Sequence, residues 1–327
     1  MNPDFLKLLI CPKSGQALHY EEDVFSPLEV KGNFLISANG ENYYPVINSI
    51  PRFVDSDNYA DNFGKQWNKF RQTQLDSYSG LPITANRFWK ATGWTPDDIK
   101  DKWVLDVGCG AGRFAEIALQ AGANVIALDY SSAIDACQSN LAQYPNLYPV
   151  QGDIYHLPFK TSTFGYVYSL GVLQHTPDVA NAFKALPPLV CPEGKLCVDY
   201  YWKRIRTMLH AKYLVRPITK RMNNDYLLGF LENNIASMLK TSQVIGSLPL
   251  LGKILKRIIP VADYTGRYPL SEKQLLEWAL LDTFDMLAPE YDNPQSASTA
   301  KQWFEEAGFA DIEIFQEGHL VARGKKP

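Results

Sequence analysis

Apolar positions in this chain fall into blocks of different spacing, and each spacing names a kind of structure. Over residues 1–55, short apolar runs (LLICP, NFLIS, YYPVI, IPRFV) are broken by Gly, Pro and Asn, with hairpin signals at Asn39-Gly40 and Asn48-Ser49. This predicts a small β-rich unit. Residues 56–101 space their aromatics helically (Phe63, Trp67, Phe70, then Phe88 and Trp89) around an interruption at Ser79-Gly80-Leu81-Pro82, which predicts two or three helices. From 102 to 202, strand-length apolar runs (WVLDVGC, NVIALDY, LYPVQGD, FGYVYSLGVL, GKLCVDYYW) alternate with helical stretches (RFAEIALQAG, IDACQSNLAQY, VANAFKALPPLV). Residues 203–297 read as helices without a strand, and residues 298–327 add one helix, TAKQWFEEAGF, and two strands, ADIEIFQ and HLVARG.

Regular strand–helix alternation with short connections places helices on both faces of a parallel sheet. The predicted fold is therefore α/β. Its centre is a doubly wound, mostly parallel seven-stranded sheet of Rossmann-like type. A β-rich N-terminal module and a helical lead-in precede the sheet, a helical insertion follows its fifth strand, and the last two strands complete it.

Composition narrows the picture only slightly. A chain that is 46% hydrophobic and 20% charged is too apolar to stay disordered. Its longest apolar runs fall short of the roughly 18 residues a membrane-spanning helix needs, and the opening MNPDFLKLLICPKSG has no basic leader, so the expected location is cytoplasmic. The five cysteines are scattered, odd in number and never in a Cys-x-x-Cys pair, which predicts reduced thiols. Charge is more informative. Residues 201–260 contain eleven Lys or Arg against two acids, a local +9, so a net charge of −3 leaves −12 on the rest. A basic insertion on an acidic body attracts anionic partners at one place only.

Candidate chemistry concentrates in VLDVGCGAGRF, residues 104–114. A strand runs into Gly108-x-Gly110-x-Gly112, where bare backbone turns sharply and approaches a ligand more closely than any side chain allows. The next strand ends at Asp129, whose carboxylate suits the two hydroxyls of a ribose. A dinucleotide fingerprint places its third glycine at position 113, which here is Arg113. Asp106 at the strand end would repel a pyrophosphate and favour an amino group. These features favour S-adenosylmethionine over NAD as the nucleoside ligand.

From Lys102 to Trp202 the chain resembles class I S-adenosylmethionine-dependent methyltransferases, particularly the ubiquinone and menaquinone methyltransferase branch. The resemblance implies that Asp106, Gly108 and Gly110 hold the methionine end of the cofactor and Asp129 the ribose hydroxyls, with Cys109, Gly112 and Tyr130 also among the cofactor-binding residues. In QGDIYHLPF it places Asp153 and Ile154 beside the adenine. In SLGVLQHTPD it places Leu170 and Gly171 near the methionine moiety and His175 facing the methyl acceptor. Histidine is the side chain that most readily exchanges a proton near neutrality, so His175 is the expected general base if the acceptor must be deprotonated. Cys109 is read as a small buried side chain rather than a nucleophile, and no metal is expected.

The implied function is direct in-line methyl transfer to a small-molecule or lipid-linked acceptor. The alternatives are a non-catalytic S-adenosylmethionine-binding protein, a tRNA, rRNA or protein methyltransferase, and a nicotinamide dehydrogenase. Nucleic acid is disfavoured, because the Asp/Asn-Pro-Pro-aromatic motif of exocyclic-amine methylation is replaced by Ser169-Leu170-Gly171-Val172 and the acidic body offers no extended basic track. The basic insertion is read first as a substrate lid, and secondly as a surface in peripheral contact with anionic membrane. Tyr200, Tyr201 and Trp202 are expected as pocket walls, and Asp282, Asp285, Glu290 and Tyr291 near the pocket mouth. Residues 5–54 resemble the small zinc-ribbon-like activators of methyltransferases, in LLICPKSGQAL and YYPVINSIPRFV, but keep only Cys11 of the four ligands. In NFGKQWNKFRQTQLDSY the lead-in resembles that of related bacterial enzymes, implying that Phe63, Gln66, Trp67 and Arg71 share a helical face that covers the cofactor.

Overall fold

A computed structural model describes residues 1–54, 61–204, 211–249 and 251–327. The N-terminal residues build an antiparallel sheet of β1 (Leu18–Phe25), β2 (Lys31–Ser37), β3 (Tyr43–Ile47) and β4 (Ile50–Pro51). Its turns lie at the expected dipeptides. Gly40 has φ +72°, and Asn48 and Ser49 both have positive φ (53° and 65°), the backbone that a two-residue hairpin turn demands.

The lead-in supplies α1 (Asp61–Lys69) and α2 (Ile83–Thr92). The main sheet follows as β5 (Trp103–Val107), α3 (Arg113–Gln120), β6 (Asn124–Asp129), α4 (Ala133–Leu141), β7 (Leu147–Gln151), β8 (Phe164–Ser169), α5 (Val179–Lys184) and β9 (Val190–Tyr200). The stretch VANAFKALPPLV leaves the α-helix at Lys184 and finishes in a 3₁₀ turn, Pro187–Leu189, because Pro187 and Pro188 have no N–H to continue the ladder. The insertion contributes α6 (Lys212–Thr219), α7 (Asn224–Gly246) and α8 (Glu272–Leu287). The chain ends with α9 (Ala297–Glu306), β10 (Ala310–Glu317) and β11 (His319–Lys325).

Strand order is β10-β11-β9-β8-β5-β6-β7. The neighbours from β9 to β7 are parallel, and β11 runs antiparallel to both β9 and β10. Val104, Leu105, Ile126, Leu128, Val167 and Val198 are all buried, as a sheet covered on both faces requires. Strand order reverses between β5 and β8, and ligands of such sheets bind beyond the carboxyl ends of the strands at that point.

The N-terminal sheet closes the β7 edge. Phe53 N–H donates to the Gln151 carbonyl at 2.8 Å. The Arg52 guanidinium grips both Asp135 oxygens (2.6 and 3.2 Å) and Gln151 Oε1 (2.9 Å). An open edge strand invites pairing with other chains, and here the module occupies it. The Cys11 thiol is buried 3.2 Å from Tyr44 Oη. Among the described residues no helix is long and apolar enough to cross a membrane.

Candidate active site

The turn after β5 is built around two glycines with different tasks. Gly108 has φ +82°, and a Cβ there would stand 2.4 Å from the Val172 side chain. The glycine therefore lets the loop after β8 pass directly over the loop after β5. Gly112, at φ +89°, caps α3, and its Cβ would strike Leu141 and Cys137 on α4. It serves helix packing and is not among the residues lining the crevice.

That crevice is a cavity of about 590 Å³, within the usual size of small-molecule sites. Gly108, Cys109, Gly110, Asp129, Tyr130, Ile154, Leu170, Gly171 and His175 all line it, so the turns after four strands meet there. Asp129 at the end of β6 accepts the Gly110 N–H (2.8 Å) and the Ser131 N–H and hydroxyl (2.9 and 2.7 Å), which locks the glycine turn to the second strand. Burial raises its carboxyl above the ordinary value despite those bonds. Asp153 sits between the lining residues Gly152 and Ile154, while its carboxylate holds Tyr155 N–H (3.0 Å) and His156 Nδ1 (2.9 Å). Burial also pushes the Cys109 thiol well above its ordinary value, the opposite of what an activated nucleophile needs.

Asp106 lies one residue behind the lining. It is buried, its Oδ2 accepts no hydrogen bond of good geometry among the described residues, and the buried Tyr168 hydroxyl is the nearby donor that acts to lower its value. Burial, with the nearby Asp129 charge adding, pushes it up to about 8. A buried acceptor without a well-aligned donor is costly unless a ligand supplies one, so this position fits an ammonium group. The bare turn, the Asp129 carboxylate and the buried Asp106 together fit an aminoacyl nucleoside.

Helix α1 lies across the crevice. Asn68 Nδ2 donates to the Ser132 carbonyl (3.0 Å), Arg71 Nη1 donates to Asn140 Oδ1 (2.6 Å), and Trp67 lines the cavity beside Gly110. Gln66 is buried, and the Phe63 side chain lies outside the described residues, as does Arg206 of the basic insertion.

The rest of the same cavity, its insertion-side chamber, is lined by residues of the helical insertion. Helix α8 presents Trp278, Asp282, Asp285 and Met286 on one face, at helical spacing. The Tyr264 hydroxyl donates to Asp282, whose other oxygen accepts Gln74 Nε2 (2.8 Å). Burial lifts Asp282 to about 6. Gln74 Oε1 in turn accepts Arg113 Nη1 at 2.5 Å. Burial and the neighbouring Arg87 bring that guanidinium down to about 10. Tyr201 and Trp202 form walls as expected, whereas Tyr200 is wholly buried away from the lining, and Glu290 and Tyr291 do not line it. Tyr291 contributes through its carbonyl, which accepts His175 Nδ1–H at 3.0 Å. In the neutral ring this fixes the tautomer with Nε2 as the proton acceptor.

Two features escaped the sequence analysis. Asp199, fully buried in β9, accepts Arg87 Nη2 (2.6 Å) and the Gly171 N–H (2.5 Å) and pairs with His319 Nδ1 (3.4 Å). Burial alone would raise this carboxyl, but Arg87, His319 and the amide hold it well below the usual range. The second feature is the half-buried pair Arg87 and Arg113, both over the Phe114 ring at 5.3 and 4.7 Å. A lone acid near the carboxyl end of the apolar run LCVDYY was the signal for Asp199; nothing local marks Arg87.

A doubly wound sheet with a nucleoside-sized crevice at its switch point defines a class of cofactor-binding domain. Residues 105–198 match the methyltransferase domain family, and this match supports an enzyme whose cofactor is S-adenosylmethionine. The chain is 36% identical over 105 residues to the sterol 24-C-methyltransferase of Schizosaccharomyces pombe, covering 30% of this chain and 27% of that protein. It is 35% identical over 135 residues to the ubiquinone biosynthesis O-methyltransferase of Coxiella burnetii, covering 39% and 57% respectively. The chain thus spans about a quarter to three-fifths of the relatives it matches. Among solved structures, magnesium protoporphyrin IX methyltransferase from Synechocystis aligns at TM-score 0.45 and 14% identity, over 82% of this chain and 97% of that one.

Proposed function

We propose that this chain is an S-adenosylmethionine-dependent methyltransferase that transfers a methyl group in line to a small-molecule or lipid-linked acceptor held in the insertion-lined part of the cavity. The observation that carries the reading is continuity. Residues of the turns after β5, β6 and β8 and residues of α8 line one and the same cavity. When bound, the cofactor supplies a methyl group already activated by its sulfonium. The protein then has to place the acceptor about 3 Å from that carbon, aligned and shielded from water. Trp67 on α1 and Tyr264, Tyr268 and Trp278 of the insertion wall the cavity against water. In this reading Asp106 and the Gly108 and Gly110 backbone hold the aminoacyl end and Asp129 holds the ribose. Asp153 and Ile154 flank the base. His175 Nε2 takes the acceptor proton, its ring oriented by the Tyr291 carbonyl and by edge contact with Tyr201 at 5.3 Å.

The test is formation of S-adenosylhomocysteine when the purified protein meets S-adenosylmethionine and lipid-soluble cell extracts. His175→Ala is expected to lower turnover by about 100-fold or more while donor affinity stays within about twofold. Donor binding without S-adenosylhomocysteine from any extract supports a non-catalytic binding protein instead. An unchanged turnover in His175→Ala removes the base role.

The Asp106 reading has its own measurement. In the free protein the acid holds its proton up to about pH 8. A donor whose ammonium pairs with the ionised form must therefore displace that proton on binding. Affinity is expected to rise about tenfold per unit between about pH 6 and about pH 7. The calorimetric enthalpy should vary with the ionisation enthalpy of the buffer by close to one proton. Asp106→Asn should flatten both dependences, and a flat profile in the native protein would sever Asp106 from the donor.

A further inference from the structure

Most of the exposed large apolar side chains among the described residues lie on the helical insertion, with a smaller set (Phe25, Leu28, Val30 and Ile47) on the N-terminal sheet. Leu214 (80% exposed) and Ile218 (69%) stand one turn apart on α6, and Ile254 (63%) and Ile258 (65%) lie on the short helical turns after α7. Val244, Leu248 and Leu251 are also exposed. The segment is folded, not splayed. Gly252 packs against the Ile245 and Gly246 backbone, and Ala211 N–H donates to the Arg257 carbonyl at 3.3 Å, joining the start of α6 to the end of this segment. Isolated exposed apolar residues are ordinary, but a collection of them on one insertion marks an interaction surface.

Charge identifies what covers it. Lys220, Arg221, Lys240 and Arg257 are exposed, and none forms an ion pair among the described residues. They belong to the span of +9 on a chain whose remainder carries −12. An anionic surface is therefore drawn to this face and repelled by the others. The same segment borders the cavity. Tyr213 lines the chamber and Leu214, the next residue, faces solvent; Arg257 lines it and Ile258, the next residue, faces solvent.

We propose that residues 211–258 form a docking surface for an anionic lipid bilayer, with Leu214, Ile218, Ile254 and Ile258 entering the interface and the basic side chains meeting lipid headgroups. Apolar insertion combined with headgroup attraction is how helices lie in an interface without spanning it. Docking brings the chamber mouth to the lipid surface, so that an acceptor anchored in the bilayer reaches the methyl donor without crossing water. That consequence rests on the proposed methyl transfer, but the docking itself does not.

The experiment uses the full chain with vesicles of phosphatidylcholine alone and of phosphatidylcholine containing about one third phosphatidylglycerol, measured by co-sedimentation. Binding to the anionic vesicles is expected to be at least about tenfold stronger, given about fivefold for each basic residue near the surface. It should fall sharply as salt rises from about 0.1 M to about 0.5 M. Ile254→Glu with Ile258→Glu should reduce it at least about tenfold with S-adenosylmethionine binding unchanged, and Ile254→Leu with Ile258→Leu should preserve it. Equal binding to neutral and anionic vesicles, or no binding, overturns the proposal. So does light scattering that finds a dimer which the Glu variant dissociates, for then a second copy covers the patch. If vesicle binding persists while no extract yields S-adenosylhomocysteine, the functional reading fails and the docking surface stands.

Discussion

Gly108→Val is expected to abolish S-adenosylmethionine binding, with a loss of at least about 100-fold by isothermal titration. The physical cause is local and twofold. The backbone at this position has φ +82°, which a β-branched residue adopts only at a cost of about 1–3 kcal/mol. The new Cβ would also stand 2.4–2.9 Å from three atoms of Val172, well inside van der Waals contact. Relief requires the loop after β8 to move, and that loop carries Leu170 and Gly171 at the cavity wall. The substitution therefore displaces two walls of the crevice at once, whereas the Gly108 and Cys109 N–H groups donate to the Leu128 carbonyl at 2.7 and 3.0 Å and tend to hold the turn in place. Circular dichroism and thermal melting establish whether the variant still folds. Adding Val172→Ala should recover part of the lost affinity, because the clash is shared by the pair and double-mutant coupling reports it. Binding within about threefold of the native protein in Gly108→Val would mean that the donor does not lie across this turn.

Asp199→Ala is expected to lower stability by about 3–5 kcal/mol, the range for removing one partner of a buried ion pair, and to lower Tm by roughly 5–10 °C. The carboxylate is inaccessible to solvent and satisfies Arg87, the Gly171 amide and His319 together. Its loss leaves the half-buried Arg87 guanidinium uncompensated beside Arg113 and frees the Gly171 loop. Asp199→Asn should recover part of the stability, since an amide oxygen still accepts from Gly171 although the charge on Arg87 stays uncompensated. The pH dependence follows from the depressed value of this group. Its contribution is fully present above the unfolded carboxylate value of about 4 and is lost as pH falls towards the folded value, because the unfolded chain then binds the proton first. The native protein should thus lose more stability than Asp199→Asn on acidification below about pH 4. Equal melting temperatures for the native protein and Asp199→Ala at neutral pH would show that the cluster contributes nothing.

The parallel core was legible because its information is local and periodic. WVLDVGC, NVIALDY, LYPVQGD and FGYVYSLGVL are strand-length apolar runs ending in turn or polar residues, and in a parallel sheet those ends converge on one rim. Consequently Gly108, Gly110, Asp129, Ile154, Leu170, Gly171 and His175, widely separated in the chain, arrive at one cavity. The hairpins of the N-terminal sheet were readable for the same reason, since Asn48 and Ser49 tolerate the positive φ that the turn imposes.

Other features depend on contacts between distant segments, for which a one-dimensional pattern holds no signal. Gly112 has the spacing of a ligand-binding glycine, yet its missing side chain makes room for Leu141 and Cys137 on a neighbouring helix. Arg87 reads as an ordinary helical cation until Asp199 and His319, 112 and 232 residues away, surround it. The insertion-side chamber exists only because α8 packs with its Trp278, Asp282 and Asp285 face towards the sheet. Strand identity and the glycine turns follow from backbone preferences acting within a few residues. The charge network and the insertion-lined part of the cavity follow from burial, which is set only when the whole chain has packed.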